Sequence, residues 1–536
     1  MTSDFKLKSK FIIHKGKSPV RAVYRKPELS EFEGNPLVEA LPPIWTTAQV
    51  MKLLNHQPNF NPDDVSLPDK VRYLKIQKAL TFFVPLDIHL DLEESFSSVI
   101  RMGYLGRNPR SKDYWKKIEK QLETFDQYAD QYESNEDPSW TASGFNIVGI
   151  SGVGKSRSVL RILNLYPQVI YHSKYQNRLF TESQIVWLKV ECPRDGSLRD
   201  LCLSFFYSVD CILGTNYLEA YSKGRPTIDD LLLSMQIVAS NHFLGVLVID
   251  EIQRLSFAKS GGDAAMLNFF VKLINSIGVP VCLIGTYKAI SILSGEFSQM
   301  RRGTGQGDVV WHRMENDAQW DLFVRTMWKY QYTKQKVQLT DKLKNALYDE
   351  SQGITDFAVK LFYFAQKRAI ESEGEKITVG IIRSVAKEKL NMPRNILNAL
   401  KTSNMEVLIK FEDVYPRDFE DNFIVSTLQE PESKENTDTS AQNKNNQSIN
   451  ITMELNPFNK SDDAQMTSKS KEKLKKSKSG RREYGRRPDK IPGLSSENKR
   501  KLIQLTSGSE KSKNSDSYII LKEAGFMRPS SEFYSY

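Results

Sequence analysis

The stretch Gly149-Ile150-Ser151-Gly152-Val153-Gly154-Lys155-Ser156 fits the phosphate-binding pattern G-x-x-x-x-G-K-[ST]. Its flanks supply the context that such a loop requires. Residues Phe145 to Ile150 read as a short apolar strand, and Arg157 to Leu165 as a helix with Val159, Leu160, Leu163 and Leu165 at its apolar positions. Glycines at 149, 152 and 154 let the backbone turn sharply, so its N–H groups converge on phosphate oxygens. The helix N-terminus adds partial positive charge at the same point. Residues 149 to 156, with Arg157, are therefore expected to hold ATP. Lys155 would reach the β- and γ-phosphates, and the Ser156 hydroxyl would ligate Mg2+. The competing reading is a glycine-rich turn with a chance lysine.

A second element narrows the choice. Leu244 to Val248 and Ile249 form a near-continuous apolar run, as a central parallel strand buried on both faces requires, and it ends in Asp250-Glu251. Strand residues alternate faces, so the two carboxylates point in different directions. Asp250 suits the Mg2+ shell, and Glu251 is left to orient and deprotonate an attacking water. The pair lies about 95 residues after the glycine loop. Further apolar runs at Ile185 to Glu191, Val279 to Gly285 and Asp308 to Trp311 predict three more strands. Thr286, at the end of one of them, either senses the γ-phosphate or only caps the strand. The amphipathic segment Ala264 to Ser276 predicts a helix, as do Leu198 to Leu213 and Ile228 to Ser240. Met300-Arg301-Arg302-Gly303 offers two arginines, either as a finger reaching into a neighbouring subunit or as plain surface charge.

Around this centre the chain divides by pattern. Residues 1 to 65 are proline-punctuated, with a short apolar helix at Gly34 to Pro43; they read as a docking arm, a packed extension or a leader without fixed structure. Residues 66 to 135 read as a mainly helical extension. Within it, Arg101-Met102-Gly103-Tyr104-Leu105-Gly106-Arg107-Asn108-Pro109 is either a pocket for the base, lined by Tyr104, or a plain inter-helix loop. Residues 136 to 315 hold the phosphate-binding core. Residues 316 to 400 show helical spacing at 319–330, 342–348, 354–371 and 379–390, and read as an all-helical lid. Residues 401 to 513 turn polar and then basic, too poor in apolar side chains to order themselves. From Lys460 to Lys513 there are 17 Lys/Arg against 7 Asp/Glu, an excess that equals the whole formal charge of +10. Overall basicity thus says little about the core, and the basic run is either a phosphate contact or a solvated linker. Residues 514 to 536 regain aliphatic and aromatic character, the pattern of a tethered docking peptide.

Several classes are disfavoured. Cys192, Cys202, Cys211 and Cys282 form no C-x-x-C pair, and the six histidines are scattered, so neither a zinc ribbon nor a redox motif is expected. A reducing, cytoplasmic setting fits such cysteine usage. No apolar run is long enough for a membrane span, and the N-terminal residues lack an apolar signal core.

The chain resembles TnsC, the TniB-related AAA+ ATPase regulator of heteromeric cut-and-paste transposition, over about residues 30 to 400. The likeness rests on Asn35-Pro-Leu-Val-Glu-Ala-Leu-Pro-Pro43, Gly103-Tyr-Leu-Gly-Arg-Asn-Pro109, the glycine loop and Tyr166-Pro-Gln-Val-Ile-Tyr-His172. It continues through Leu247-Val-Ile-Asp-Glu-Ile-Gln253, Met266-Leu-Asn-Phe-Phe-Val271, Leu283-Ile-Gly-Thr286 and Arg301-Arg-Gly303. It implies an α/β AAA+ P-loop ATPase with parallel strand order 5-1-4-3-2 and a helical lid. It implies ATP-driven assembly into a ring of six or seven subunits around double-stranded DNA, in a bacterial cytoplasm. A target selector of the TnsD or TniQ type would recruit the ATPase, which would activate the TnsA and TnsB transposase subunits; hydrolysis would dismantle the assembly. The arm would meet the selector and the C-terminal tip the transposase. By the same resemblance, Arg194, Ser197 and Arg199 are expected at the pore, touching phosphates without reading sequence. AAA+ lids often carry an arginine three residues after a glycine; here Gly353-Ile-Thr-Asp356 ends in an acid, and Lys360 is the candidate substitute.

Competing activities remain open at this point. A translocase or helicase-type motor shares the same core but would carry helicase motifs, which the chain does not resemble. A nucleotide-binding scaffold would not need Glu251. A signalling ATPase would need an effector or repeat array.

Overall fold

In the computed structural model of the protein, the described residues are 12–112, 114, 116, 144–256, 269, 278–289 and 307–408. All of them belong to one of two compact units; the other, Asp421–Lys490, lies outside them. The expected helix at 264–276 except residue 269, Arg301, Arg302, the basic segment 460–513 and the tip 514–536 also fall outside the described residues.

The chain opens with an extended segment ending in β1 (Val20–Arg21), then α1 (Pro36–Glu39), α2 (Thr47–Leu54), α3 (Asp69–Ala79) and α4 (Asp87–Leu105). The core follows with β2 (Phe145–Gly149), α5 (Lys155–Leu163), β3 (Val169–Tyr171), the hairpin β4 (Lys174–Tyr175) and β5 (Arg178–Leu179), β6 (Ser183–Ile185) and β7 (Trp187–Glu191). It continues through α6 (Leu198–Leu213), α7 (Tyr217–Ser222), α8 (Ile228–Asn241), β8 (Val246–Asp250), β9 (Val281–Gly285) and β10 (Asp308–Trp311). Helices α9 (Ala318–Trp328), α10 (Asp341–Ser351), α11 (Thr355–Ile370), α12 (Val379–Lys389), α13 (Arg394–Thr402) and α14 (Met405–Leu408) complete it.

The five-stranded sheet has the order β10-β2-β9-β8-β7, all parallel. Counted along the core this is 5-1-4-3-2, as expected. Strands β2, β8 and β9 are buried at every residue, which explains their near-continuous apolar runs; Asn146, the polar residue inside β2, donates to Asp308 of β10 at 2.8 Å. The two faces alternate cleanly. Phe145, Ile147, Trp187, Val246, Val248, Cys282 and Ile284 pack toward α4, α5 and the N-terminal elements. Leu188, Val190, Leu247, Ile249, Val281 and Leu283 pack toward α6 and α8. Helices begin at polar caps: Ser197 for α6, Thr227 for α8, Asp317 for α9, Thr340 for α10 and Thr378 for α12 each accept a first-turn backbone N–H.

The N-terminal residues are integral to this body. Phe32, Leu37 and Leu41 are buried, and the Asn35 amide donates to the Tyr104 carbonyl at 2.8 Å. Strand β1 adds in parallel to β3, which pairs with β6. The segment read as a glycine-rich loop at 101–109 begins as the last turns of α4. Gly103 serves close packing rather than a turn, since a Cβ there would lie 2.8 Å from the Pro280 ring. Among the described residues no helix is long and apolar enough to cross a membrane.

Candidate active site

The loop between β2 and α5 is shaped by two glycines in backbone conformations that L side chains rarely adopt, Gly152 at φ +88° and Gly154 at φ +102°. They turn the chain so that α5 starts immediately at Lys155. Its ammonium is buried and donates to the carbonyls of Gly149 at 2.7 Å and Ile150 at 2.9 Å. A cation folded back on its own loop in this way stands ready to exchange carbonyl partners for phosphate oxygens.

This loop forms one wall of a cavity of about 620 Å³, within the range of ordinary ligand sites. Residues 151–156, Arg157, Asp250, Glu251 and Thr286 all line it, so the structure brings together side chains that are widely separated in sequence. Three elements close it. Asp250 and Glu251 stand at the C-terminal end of β8, where ligands collect in open parallel sheets. Thr286, buried, follows β9. The start of α11 comes from the helical bundle: the Thr355 hydroxyl and the Asp356 backbone N–H both donate to the Gly152 carbonyl at 3.1 Å.

Glu251 sits at φ +61°, a left-handed conformation that costs a side-chain-bearing residue about 1–3 kcal/mol. Its carboxylate is held in compensation. The Gln253 amide donates to Oε2 at 2.7 Å, and an Arg254 guanidinium nitrogen lies 3.4 Å from the same oxygen. Gln253 Oε1 in turn accepts the Thr286 backbone N–H at 3.2 Å. Burial raises the Glu251 pKa, against the pull of Arg254, which strengthens it as a base. Asp250 is ion-paired with buried Lys189 at 2.7 Å and accepts the Glu251 N–H at 2.8 Å.

The donor set fits Mg-ATP. Mg2+ keeps several waters and takes only one or two protein ligands beside phosphate oxygens, which Ser156 and Asp250 can supply. The loop offers backbone N–H groups and one buried ammonium to the phosphates. Bound there, Mg-ATP would supply the scissile phosphoanhydride and its charge-neutralising cation.

Other expected residues are placed differently. Tyr104 lines no part of the cavity. It is a core residue whose hydroxyl donates to the Phe243 carbonyl at 2.8 Å, because α4 continues through it and buries its ring. The upstream wall is instead Phe82, Phe83, Val84, Leu86 and His89. The apolar run Phe82-Phe83-Val84-Pro85-Leu86, which sequence reading passed over, was the available signal. His89 accepts the Leu86 N–H through Nδ1 at 2.8 Å, so Nε2 carries the proton toward the Ser158 hydroxyl at 3.0 Å. Arg157 fastens α5 to this wall through the carbonyls of Thr81 and Phe82. Lys360 does not line the cavity either; it pairs with Asp356 at 2.5 Å, one helical turn back. In the turn after β7 and the first turn of α6, Arg194 is exposed, Ser197 caps α6 through Asp200 N–H, and Arg199 donates to the Pro226 carbonyl at 2.6 Å.

Residues 141–293 match the family model for an AAA domain. No curated protein matches the chain. Among solved structures, it is similar to the Walker-type ATPase of Pyrococcus abyssi at 14% identity, covering 55% of this chain and 75% of that one, with a TM-score of 0.33. It is similar to Cdc6p from Pyrobaculum aerophilum at 10% identity (52% and 67% covered, TM-score 0.32). Aeropyrum pernix ORC2 aligns at 11% identity (60% and 84% covered, TM-score 0.30). The fold is the α/β P-loop AAA+ fold, and the chain is an ATPase that carries an AAA domain at residues 141–293.

Proposed function

We propose that this ATPase is a DNA-bound regulator of transposition. It assembles on double-stranded target DNA with ATP bound, links a TnsD- or TniQ-type selector to the TnsA and TnsB subunits, and leaves the DNA when ATP is hydrolysed. The sequence resemblance to TnsC supplies the partners. One structural observation supports a switch: the Gly152 carbonyl is shared between the phosphate loop and the start of α11. These bonds join the helical bundle directly to the phosphate loop, so a movement of the loop on nucleotide binding would be passed to the bundle. In this reading Lys155 holds phosphate, Ser156 and Asp250 hold Mg2+, Glu251 accepts the proton of the attacking water, and Thr286 orients that water. Arg194, Ser197 and Arg199 face DNA phosphates; Arg194 is the most exposed of the three. Arg301 or Arg302 completes a neighbour's site in a ring of six or seven subunits. Residues 1–65 meet the selector, and residues 514–536 meet the transposase.

The test follows DNA release after rapid mixing with ATP and Mg2+. Wild-type protein should leave as ATP is consumed, whereas Glu251→Gln should stay at least about tenfold longer, since loss of a general base slows hydrolysis by two or more orders. Release of the variant at the wild-type rate would falsify the role given to Glu251. Sustained strand displacement by the wild type would point to a motor instead.

A further inference from the structure

The extended segment before β1 runs along β7. Gly16 lies flat on Trp187, where an added Cβ would meet the indole at 2.6 Å. Its N–H donates to Gln168 Oε1 at 2.7 Å, and the Gln168 amide returns a bond to the His14 carbonyl at 3.1 Å. This clamp sets the His14 ring at the C-terminal end of β7. There Nε2 is 3.1 Å from Glu191 Oε1 and 3.2 Å from Lys189 Nζ. The other Glu191 oxygen is 3.3 Å from Arg254 Nη1, which also donates to the Cys192 carbonyl at 3.1 Å. Arg254 Nη2 faces Glu251 Oε2. Four side chains thus form an unbroken chain from the N-terminal segment to the hydrolytic carboxylate.

We propose that this segment is a positioning strap: His14, acting through Glu191 and Arg254, orients Glu251 and sets the rate of hydrolysis without touching nucleotide. The inference rests on the reading of Glu251 as the base. Arg254 serves two carboxylates at once. While His14 occupies one oxygen of Glu191, that carboxylate takes Arg254 through a single oxygen, and the second nitrogen remains with Glu251. Once His14 is gone, both Glu191 oxygens are available, and a paired, two-oxygen grip on the guanidinium is the stronger geometry. Arg254 then leaves Glu251, whose left-handed backbone loses one of its restraints. Gln253 and Arg254 both hold Oε2 of Glu251. A partner that lifts residues 14–16 from β7 would by this route slow hydrolysis and prolong the ATP state.

The test measures kcat and, separately, equilibrium binding of a non-hydrolysable ATP analogue in the full chain. His14→Ala should lower kcat about tenfold, a coupling of ordinary size for neighbouring groups, with analogue affinity unchanged. His14→Gln, which keeps a donor toward Glu191, should recover most of the rate. Adding Glu191→Gln to His14→Ala should also restore part of it, because the freed competitor for Arg254 loses its charge. In a Glu251→Gln background, His14→Ala should have no further effect. An unchanged kcat in His14→Ala, or equal losses in His14→Ala and His14→Gln, would overturn the strap. Full hydrolysis by Glu251→Gln alone would instead overturn the role of Glu251.

Discussion

At the scale of single residues, the structure contrasts groups whose charge burial disfavours with groups whose charge is locked in. His89, in the cavity wall, and His172, under β3, are both buried deeply enough to bring their pKa down to about 4. Glu191, beside His14, and Glu375, beside Arg72, are pushed down to about 2. The signs give separate windows. A histidine with a depressed folded pKa contributes stability that is complete above about pH 6.5 and is lost as pH falls toward 4. The two glutamates contribute stability that is complete above about pH 4.3 and is lost only toward pH 2. Thermal melting between pH 7 and 4.5 should therefore fall with a histidine signature, and His89→Gln should flatten part of that fall. A variant as steep as wild type would show that His89 is not held neutral. The carboxylate pair, the loop lysine and Ser156 could be recognised in the sequence because each belongs to a local pattern. His14 could not, because its meaning depends on Glu191, 177 residues away. Tyr104 is hard to place for a related reason: glycines on either side of an aromatic suggest a loop, but here Gly103 makes room for Pro280.

Secondary-structure elements explain why the ends of the chain are tied to its centre. Helix α3 inserts Arg72, fully buried, against the loop after α11. Its guanidinium meets both oxygens of Glu375, at 2.5 and 3.1 Å, and donates to the Tyr332 carbonyl at 3.0 Å. Lys334 adds a second cation to Glu375 at 2.7 Å. The N-terminal extension thereby grips the same helical bundle whose leading edge, Thr355 and Asp356, rests on the phosphate loop. Glu375→Gln leaves buried Arg72 with only the largely exposed Asp69, 2.7 Å away, as a counter-ion, and unfolding should become easier by about 3 kcal/mol. Arg72→Met with Glu375→Gln should cost less than the two single changes added together, measured by denaturant titration. Additive losses would mean that the pair is not coupled. The elements themselves were well foreshadowed. Parallel strands buried on both faces must be unbroken apolar runs, and helices α6 and α9–α12 follow their apolar spacing closely. The cavity's upstream wall was not foreshadowed, because residues 82–86 form no regular element and owe their place to Arg157 and α5.

Across the described residues, the arrangement joins the candidate ATP site, a helical bundle that touches its loop, and an N-terminal extension that touches both the bundle and the side chains around Glu251. Such wiring suits a protein whose shape reports which nucleotide it holds, and assembly on DNA is the consequence proposed for it. Electron microscopy of the full chain with double-stranded DNA tests this most directly, comparing a non-hydrolysable ATP analogue with no nucleotide. Closed rings or short spirals on DNA, formed only with the analogue, are the predicted result. Single subunits under both conditions would contradict it.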